Sequence, residues 1–180
     1  MHKILPKIFV FIDKYDKQIF KNNNTKLGII YRNYNAKNRE KELIKIAMDC
    51  KKNRNQLFVS NDIKLALKVK ANGLYIPSFN KNKKFLNLER KNIKIIGSAH
   101  NQREIHNKIS QKCSAIFLSP AFYVKKSNYI LGLHRFNYLS NSNKVDFYAL
   151  GGISKNNSNM LKLFNIKGFG GISFFKKKPA

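Results

Sequence analysis

Ala115-Ile116-Phe117-Leu118-Ser119-Pro120-Ala121-Phe122 passes from four apolar residues straight into a Ser-Pro turn. A polar loop follows, Tyr123-Val124-Lys125-Lys126-Ser127, and Leu131-Gly132-Leu133-His134-Arg135-Phe136 then opens a helix. A short apolar run bounded by turn residues reads as a strand buried on both faces. Strand, turn and helix in that order make one βα unit.

The unit recurs in both directions along the chain. Strands are predicted at Ile8–Ile12, Leu27–Tyr31, Leu57–Val59, Leu74–Ile76, Lys94–Gly97, Ala115–Leu118, Phe147–Leu150 and Gly168–Ile172. Between them lie helical stretches. Glu40–Lys51 sets Leu43, Ile46, Ala47 and Cys50 on one stripe, and Asp62–Lys70 turns Ile63, Leu65, Ala66 and Val69 inward. Gln102–Ser110, Leu133–Leu139 and Asn156–Phe164 complete the set. Eight strands alternating with helices predict an α/β fold, a closed parallel (β/α)8 barrel, with an open doubly wound sheet as the alternative.

The chain has 180 residues, whereas such barrels typically run to ~250. The barrel reading therefore requires trimmed helices. The first connection, Lys14–Asn24, and the fourth, Ser78–Asn92, are short, and little follows Phe174 for an eighth helix. Residues 1–180 read as one domain, without linker or simple repeat. Bare strands predict an apolar patch on the barrel bottom or flank, and a homodimer to cover it.

Lys and Arg number 36 against 9 Asp and Glu, a net charge of +27. The lysines are spread over the whole length and accompanied by much Asn and Ile, the composition of an AT-rich genome. No arginine-rich arm or aromatic-interleaved basic motif stands out, so the balance argues for phosphorylated small-molecule ligands over nucleic acid. No run of 18 apolar residues predicts a membrane span. The start of the chain lacks a signal-peptide core, and Cys50 and Cys113 fit no metal or redox motif. Together these place the expected compartment in the cytoplasm, with both thiols reduced.

The Ser-Pro-Ala-Phe loop resembles the sixth-strand loop of the thiamine phosphate synthase / TenI (thiazole tautomerase) family. Further landmarks follow in family order. They are Lys7-Ile8-Phe9-Val10-Phe11-Ile12-Asp13, Ile30-Tyr31-Arg32-Asn33-Tyr34, Phe58-Val59-Ser60-Asn61-Asp62 with Leu65-Ala66-Leu67, and Ala71-Asn72-Gly73-Leu74-Tyr75-Ile76. Ile96-Gly97-Ser98-Ala99-His100, Tyr148-Ala149-Leu150-Gly151-Gly152-Ile153 and Gly168-Phe169-Gly170-Gly171-Ile172-Ser173 complete the series. The resemblance implies a barrel that joins hydroxymethylpyrimidine diphosphate to a thiazole phosphate and releases pyrophosphate.

Carried over by position, the resemblance gives Arg32 and Ser98 catalytic roles at the diphosphate. It makes Asn61, Lys125, Lys126 and Ser127 substrate contacts. Gly151, Gly152, Gly171, Ile172 and Ser173 become a phosphate cradle. Asp62 and Asn80 stand at the Mg²⁺ positions. Glycine turns after late strands are also physically suited to phosphate, because their backbone N–H groups are open to approach.

Departures from the pattern weaken the metal. Asn80 replaces the family's second aspartate, so Mg²⁺ binding is expected to be weak or absent. Ile30 and Tyr34 replace a Gln and a Lys, Pro77-Ser78 replaces Gly-Gln, and the threonines of the strand-six loop are lost. The histidine that the tautomerase branch carries in that loop falls on Pro120, with His100 and His134 elsewhere. Three readings therefore stay open: a synthase, a TenI-like thiazole phosphate-binding protein or isomerase, and a basic nucleic-acid-binding protein. Asp62 as a plain helix cap stands beside its metal role.

Overall fold

Every strand must satisfy two apolar environments, a layer of helices outside and a closed interior inside, which is why the strand segments carry so little polar alternation. The computed structural model describes residues 4–21, 26–34, 38–83, 93–125, 127, 129–141 and 144–172. Its strands are β1 Ile8–Ile12, β2 Leu27–Tyr31, β3 Gln56–Ser60, β4 Gly73–Ile76, β5 Lys94–Ala99, β6 Ala115–Leu118, β7 Asp146–Leu150 and β8 Gly168–Gly171. They pair in parallel in sequence order, and β8 closes on β1 with Phe9 opposite Gly170. The barrel is closed, which rules out the open-sheet alternative.

The interior is aromatic. Phe9, Phe11, Ile30, Phe58, Tyr75, Ile96, Ala115, Phe117 and Tyr148 form a cluster separate from the one between strands and helices. Phe9 meets Phe58, Phe117 and Tyr148 at centroid distances of 5.5, 5.0 and 5.2 Å. Room for these rings comes from glycine opposite them. A Cβ on Gly28 would lie 2.2 Å from the Phe9 ring, and one on Gly73 would lie 2.4 Å from Phe58. Large residues against small ones fill the lumen.

The helices are α1 Gln18–Lys21, α2 Arg39–Lys52, α3 Ile63–Lys68, α4 Gln102–Ser110 and α5 Gly132–Ser140. Among the described residues of the first connection, the only helix is the four-residue α1. Residues 84–92 and 173–180 lie outside the described residues, and with them the trimming expected there. The helix expected over 156–164 is instead a 3-10 helix, Ser158–Leu163. Asn157 accepts from the Ser154 N–H at 2.8 Å and donates to the Gly152 carbonyl at 2.8 Å. Such local side-chain bonds compete with the α-helical pattern.

The helix expected over 62–70 is also shorter, because Asp62 is its cap and not its first turn. The Leu65 N–H donates to Asp62 Oδ1 at 3.0 Å. On the outer face of α2, Ile44 and Met48 stand exposed one turn apart. Among the described residues no helix is long and apolar enough to cross a membrane.

Candidate active site

Parallel strands deliver their following loops to one end of the barrel, so the polar residues after β1 to β8 share a rim. Inward-facing positions recur every second residue. Phe9 and Phe11 point into the lumen, so Asp13 comes next on that face. Ile30 does the same for Arg32. The β1–β2 register, Phe11 opposite Ile30, brings the two together. Arg32 donates from Nε to Asp13 Oδ1 at 2.8 Å and from a terminal nitrogen to Oδ2 at 3.2 Å. Its guanidinium carbon lies 5.8 Å from the Phe11 ring centroid. The pair is about half exposed, so it can be approached from solvent.

The β3 turn carries Asn61 and Asp62. Asn61 sits at φ 58°, and its N–H donates to the Tyr75 carbonyl at 2.9 Å. Asp62 is held twice. Oδ1 caps α3, and Oδ2 accepts from Arg39 at 2.9 Å. The same guanidinium donates to the Ser60 carbonyl at 2.8 Å and lies 5.9 Å from the ring centroids of Tyr31 and Tyr34. Its Nε is buried and unpartnered in the described structure. Tyr34 is tied down by its hydroxyl, 2.7 Å from Ser60 Oγ.

After β4 the chain turns back on a buried lysine. Lys108, on α4, is wholly inaccessible. Its Nζ donates to the carbonyls of Pro77 at 2.7 Å and Asn80 at 2.8 Å, and to Gln111 Oε1 at 2.9 Å. Gln111 donates to the Asn80 and Asn82 carbonyls at 3.0 and 2.8 Å. The Asn80 side chain donates to Asn61 Oδ1, while its own Oδ1 accepts from the Asn82 N–H at 2.8 Å. Burial lowers the Lys108 pKa to about 8, with Cys113 and Glu104 opposing that drop.

Ser98 is buried on the inner face of β5 beside Tyr75. Burial raises the Tyr75 pKa to about 12, and a hydrogen bond with Ser98 acts against that rise. Tyr75 therefore keeps its proton at neutral pH. His100, just after β5, reaches across to β6. Its Nδ1 lies 2.8 Å from the Ser119 carbonyl and 3.1 Å from Ser119 Oγ. The Ser119–Pro120 peptide is cis.

Gly151 and Gly152 adopt φ 91° and 70°, backbone that suits glycine. A Cβ on Gly152 would fall 2.4 Å from the Tyr123 carbonyl oxygen, so this turn packs directly on the loop after β6. In that loop Lys125 is exposed, and Ser127 closes a tight turn through its N–H to the Val124 carbonyl at 2.9 Å. Gly171 is buried at the end of β8 and Ile172 is exposed. Lys126 and Ser173 lie outside the described residues.

Each predicted position except those two is thus placed on the rim or in the loops that leave it. Asp13, Arg39 and Lys108 were not singled out by the sequence reading. Lys108 had a visible signal, a charge on the stripe that Ile105 begins. Arg39 had none beyond its position at the start of a helix.

The residues aligned with the family's metal already have protein partners. Asp62 is spent on a cap and an ion pair. Asn80 and Asn61 accept from neighbouring N–H groups. Among the described residues no three His, Cys, Asp or Glu side chains cluster. Mg²⁺ demands near-octahedral oxygens that are free to coordinate.

The sequence profile of the thiamine monophosphate synthase family (TMP-TENI) matches residues 22–175. The chain belongs to that family. A thiamine-phosphate synthase of Prochlorococcus marinus subsp. pastoris is 32% identical over 131 residues, 71% of this chain and 37% of the relative. A second Prochlorococcus marinus thiamine-phosphate synthase is 34% identical over 133 residues, 70% of this chain and 37% of the relative. This family member spans little more than a third of the curated relatives it matches. A solved thiamine phosphate pyrophosphorylase from Pyrococcus furiosus superposes with a TM-score of 0.74 at 20% identity, covering 93% of this chain and 85% of that one. That likeness carries the barrel fold.

Proposed function

We propose that this family member is an enzyme of thiamine biosynthesis that condenses hydroxymethylpyrimidine diphosphate with a thiazole phosphate, releasing pyrophosphate. The observation that carries the reading is the Arg32–Asp13 pair at the lumen mouth of a family barrel. The guanidinium donors that Asp13 does not use are within reach of a diphosphate entering from solvent. In this reading the C–O bond to the diphosphate breaks, its electrons leave with pyrophosphate, and the thiazole nitrogen supplies a pair to the resulting carbon cation. Such chemistry needs positioning and charge more than a base.

Arg32 takes the departing diphosphate, with Ser98 and the protonated Tyr75 below it. Asn61 joins from the β3 turn. The thiazole phosphate lies against the Gly151-Gly152 turn and Gly171-Ile172, facing Lys125 and Ser127. The setting is cytoplasmic, with Cys50 and Cys113 buried as thiols.

A TenI-like isomerase is the second reading. The observation that favours it is His100, which brings an imidazole from β5 to the β6 turn that Pro120 leaves without one. The test supplies the full chain with both substrates and measures thiamine phosphate. Product at a rate that falls with Arg32→Ala supports the synthase. No product, together with thiazole phosphate isomerisation that His100→Ala abolishes, supports the isomerase.

A further inference from the structure

Two cations of the chain itself are bonded to the residues aligned with the family's metal positions. Arg39 lies on Asp62 at 2.9 Å, and Lys108 lies under Asn80 at 2.8 Å from its carbonyl. Both are fixed. Arg39 is largely buried and also bonded to Ser60. Lys108 is fully enclosed and spends all three of its donors.

The oxygens that a metal would need each already accept a hydrogen bond in the same arrangement. Asp62 Oδ1 accepts from Leu65 and Oδ2 from Arg39. Asn80 Oδ1 accepts from Asn82, and Asn61 Oδ1 accepts from Asn80. A divalent ion on Asp62 would compete with the Arg39 guanidinium for Oδ2. Like charges at such range repel strongly in a low-dielectric surrounding.

We propose that this site holds its diphosphate without a divalent cation, with Arg39 and Lys108 supplying the fixed positive charge that a bound metal would supply. The inference rests on the synthase reading. Arg39 stands nearer the surface than Lys108, beside Tyr34, with 16% of its side chain exposed. Lys108 acts from beneath, through its field and by holding the Asn80–Asn61 pair in place. The exposed Lys81 and Lys83, directly after Asn80, extend the same positive surface outward. The replacement of the family's aspartate by Asn80 follows, because a carboxylate is not needed where no metal is gathered.

The test is calorimetric titration of inorganic pyrophosphate into the full chain, first in EDTA and then in millimolar MgCl₂. The expected result is binding in EDTA, with Kd altered by no more than about threefold on adding Mg²⁺. Binding that appears only with Mg²⁺, or tightens by about tenfold or more, overturns the inference and leaves the synthase reading standing. Binding in neither medium overturns both. In a second arm, Arg39→Met is expected to weaken pyrophosphate binding in EDTA by about tenfold, with circular dichroism confirming the fold. An unchanged Kd in folded Arg39→Met overturns the inference.

Discussion

Lys108 Nζ lies 2.8 Å from the Asn80 carbonyl oxygen, and the Asn80 side chain reaches on to Asn61. One buried ammonium on α4 therefore sets the loop after β4 against the turn after β3. The group is fully enclosed. The Gly97 backbone makes space for its stem, since a Cβ there would lie 2.8 Å from Lys108 Cδ.

Removing that ammonium leaves buried carbonyls without a donor. Lys108→Met should lower stability at pH 7 by roughly 1–3 kcal/mol, read from urea unfolding. The pH dependence has a definite sign. The folded pKa of about 8 lies below the ordinary 10.5, so the unfolded chain binds the proton more tightly in between. The stability of the unaltered chain relative to Lys108→Met should therefore rise from about pH 8 to pH 10.5. A flat difference over that window would contradict the assignment.

Arg32→Ala removes a charge-assisted donor fork from the lumen mouth. It should lower kcat/KM for thiamine phosphate formation by roughly 10- to 100-fold. Its Asp13 pair is substantially exposed, so unfolding should shift by no more than about 1 kcal/mol. Arg32→Lys should recover only part of the activity, because an ammonium cannot make both bonds to one partner. Equal loss of stability and activity would mean that Arg32 is structural.

Asp62 can be dissected by chemistry. Asp62→Ala removes the α3 cap, which costs about 1 kcal/mol, or about 2–4 °C in a chain of this size. Asp62→Asn keeps a capping oxygen and should retain most of that melting temperature. If both substitutions destabilise alike, the Arg39 ion pair dominates over the cap.

Gly152→Ala should distort the phosphate turn from two directions. Its φ of 70° costs an L-residue about 1–2 kcal/mol. The added Cβ would also meet the Tyr123 carbonyl oxygen at 2.4 Å, which is backbone and cannot swing aside. The expected result is a rise in KM for the thiazole phosphate on the order of tenfold, from the loss of a well-placed donor. A KM that stays unchanged in folded protein would move the phosphate away from this turn.

The sequence by itself determined the barrel. β1, β2 and β6 fall at their expected bounds because strands buried on both faces advertise themselves as unbroken apolar runs. It also placed Arg32, Asn61, Ser98 and the Gly151-Gly152 turn at strand C-terminal ends, since position after a strand is a local property. The Asn-rich stretch after Gly152 has the hydrophobic spacing of an α-helix yet forms a 3-10 helix, because spacing does not report side-chain competition for backbone groups. Which charges meet was decided only in three dimensions. Arg32 finds Asp13 through the β1–β2 register, Arg39 finds Asp62 across 23 residues, and Lys108 finds Asn80 across 28. Those partnerships turn the expected metal position into a capped, cation-filled rim. No local pattern encodes them, because register and barrel closure bring together groups that are remote along the chain.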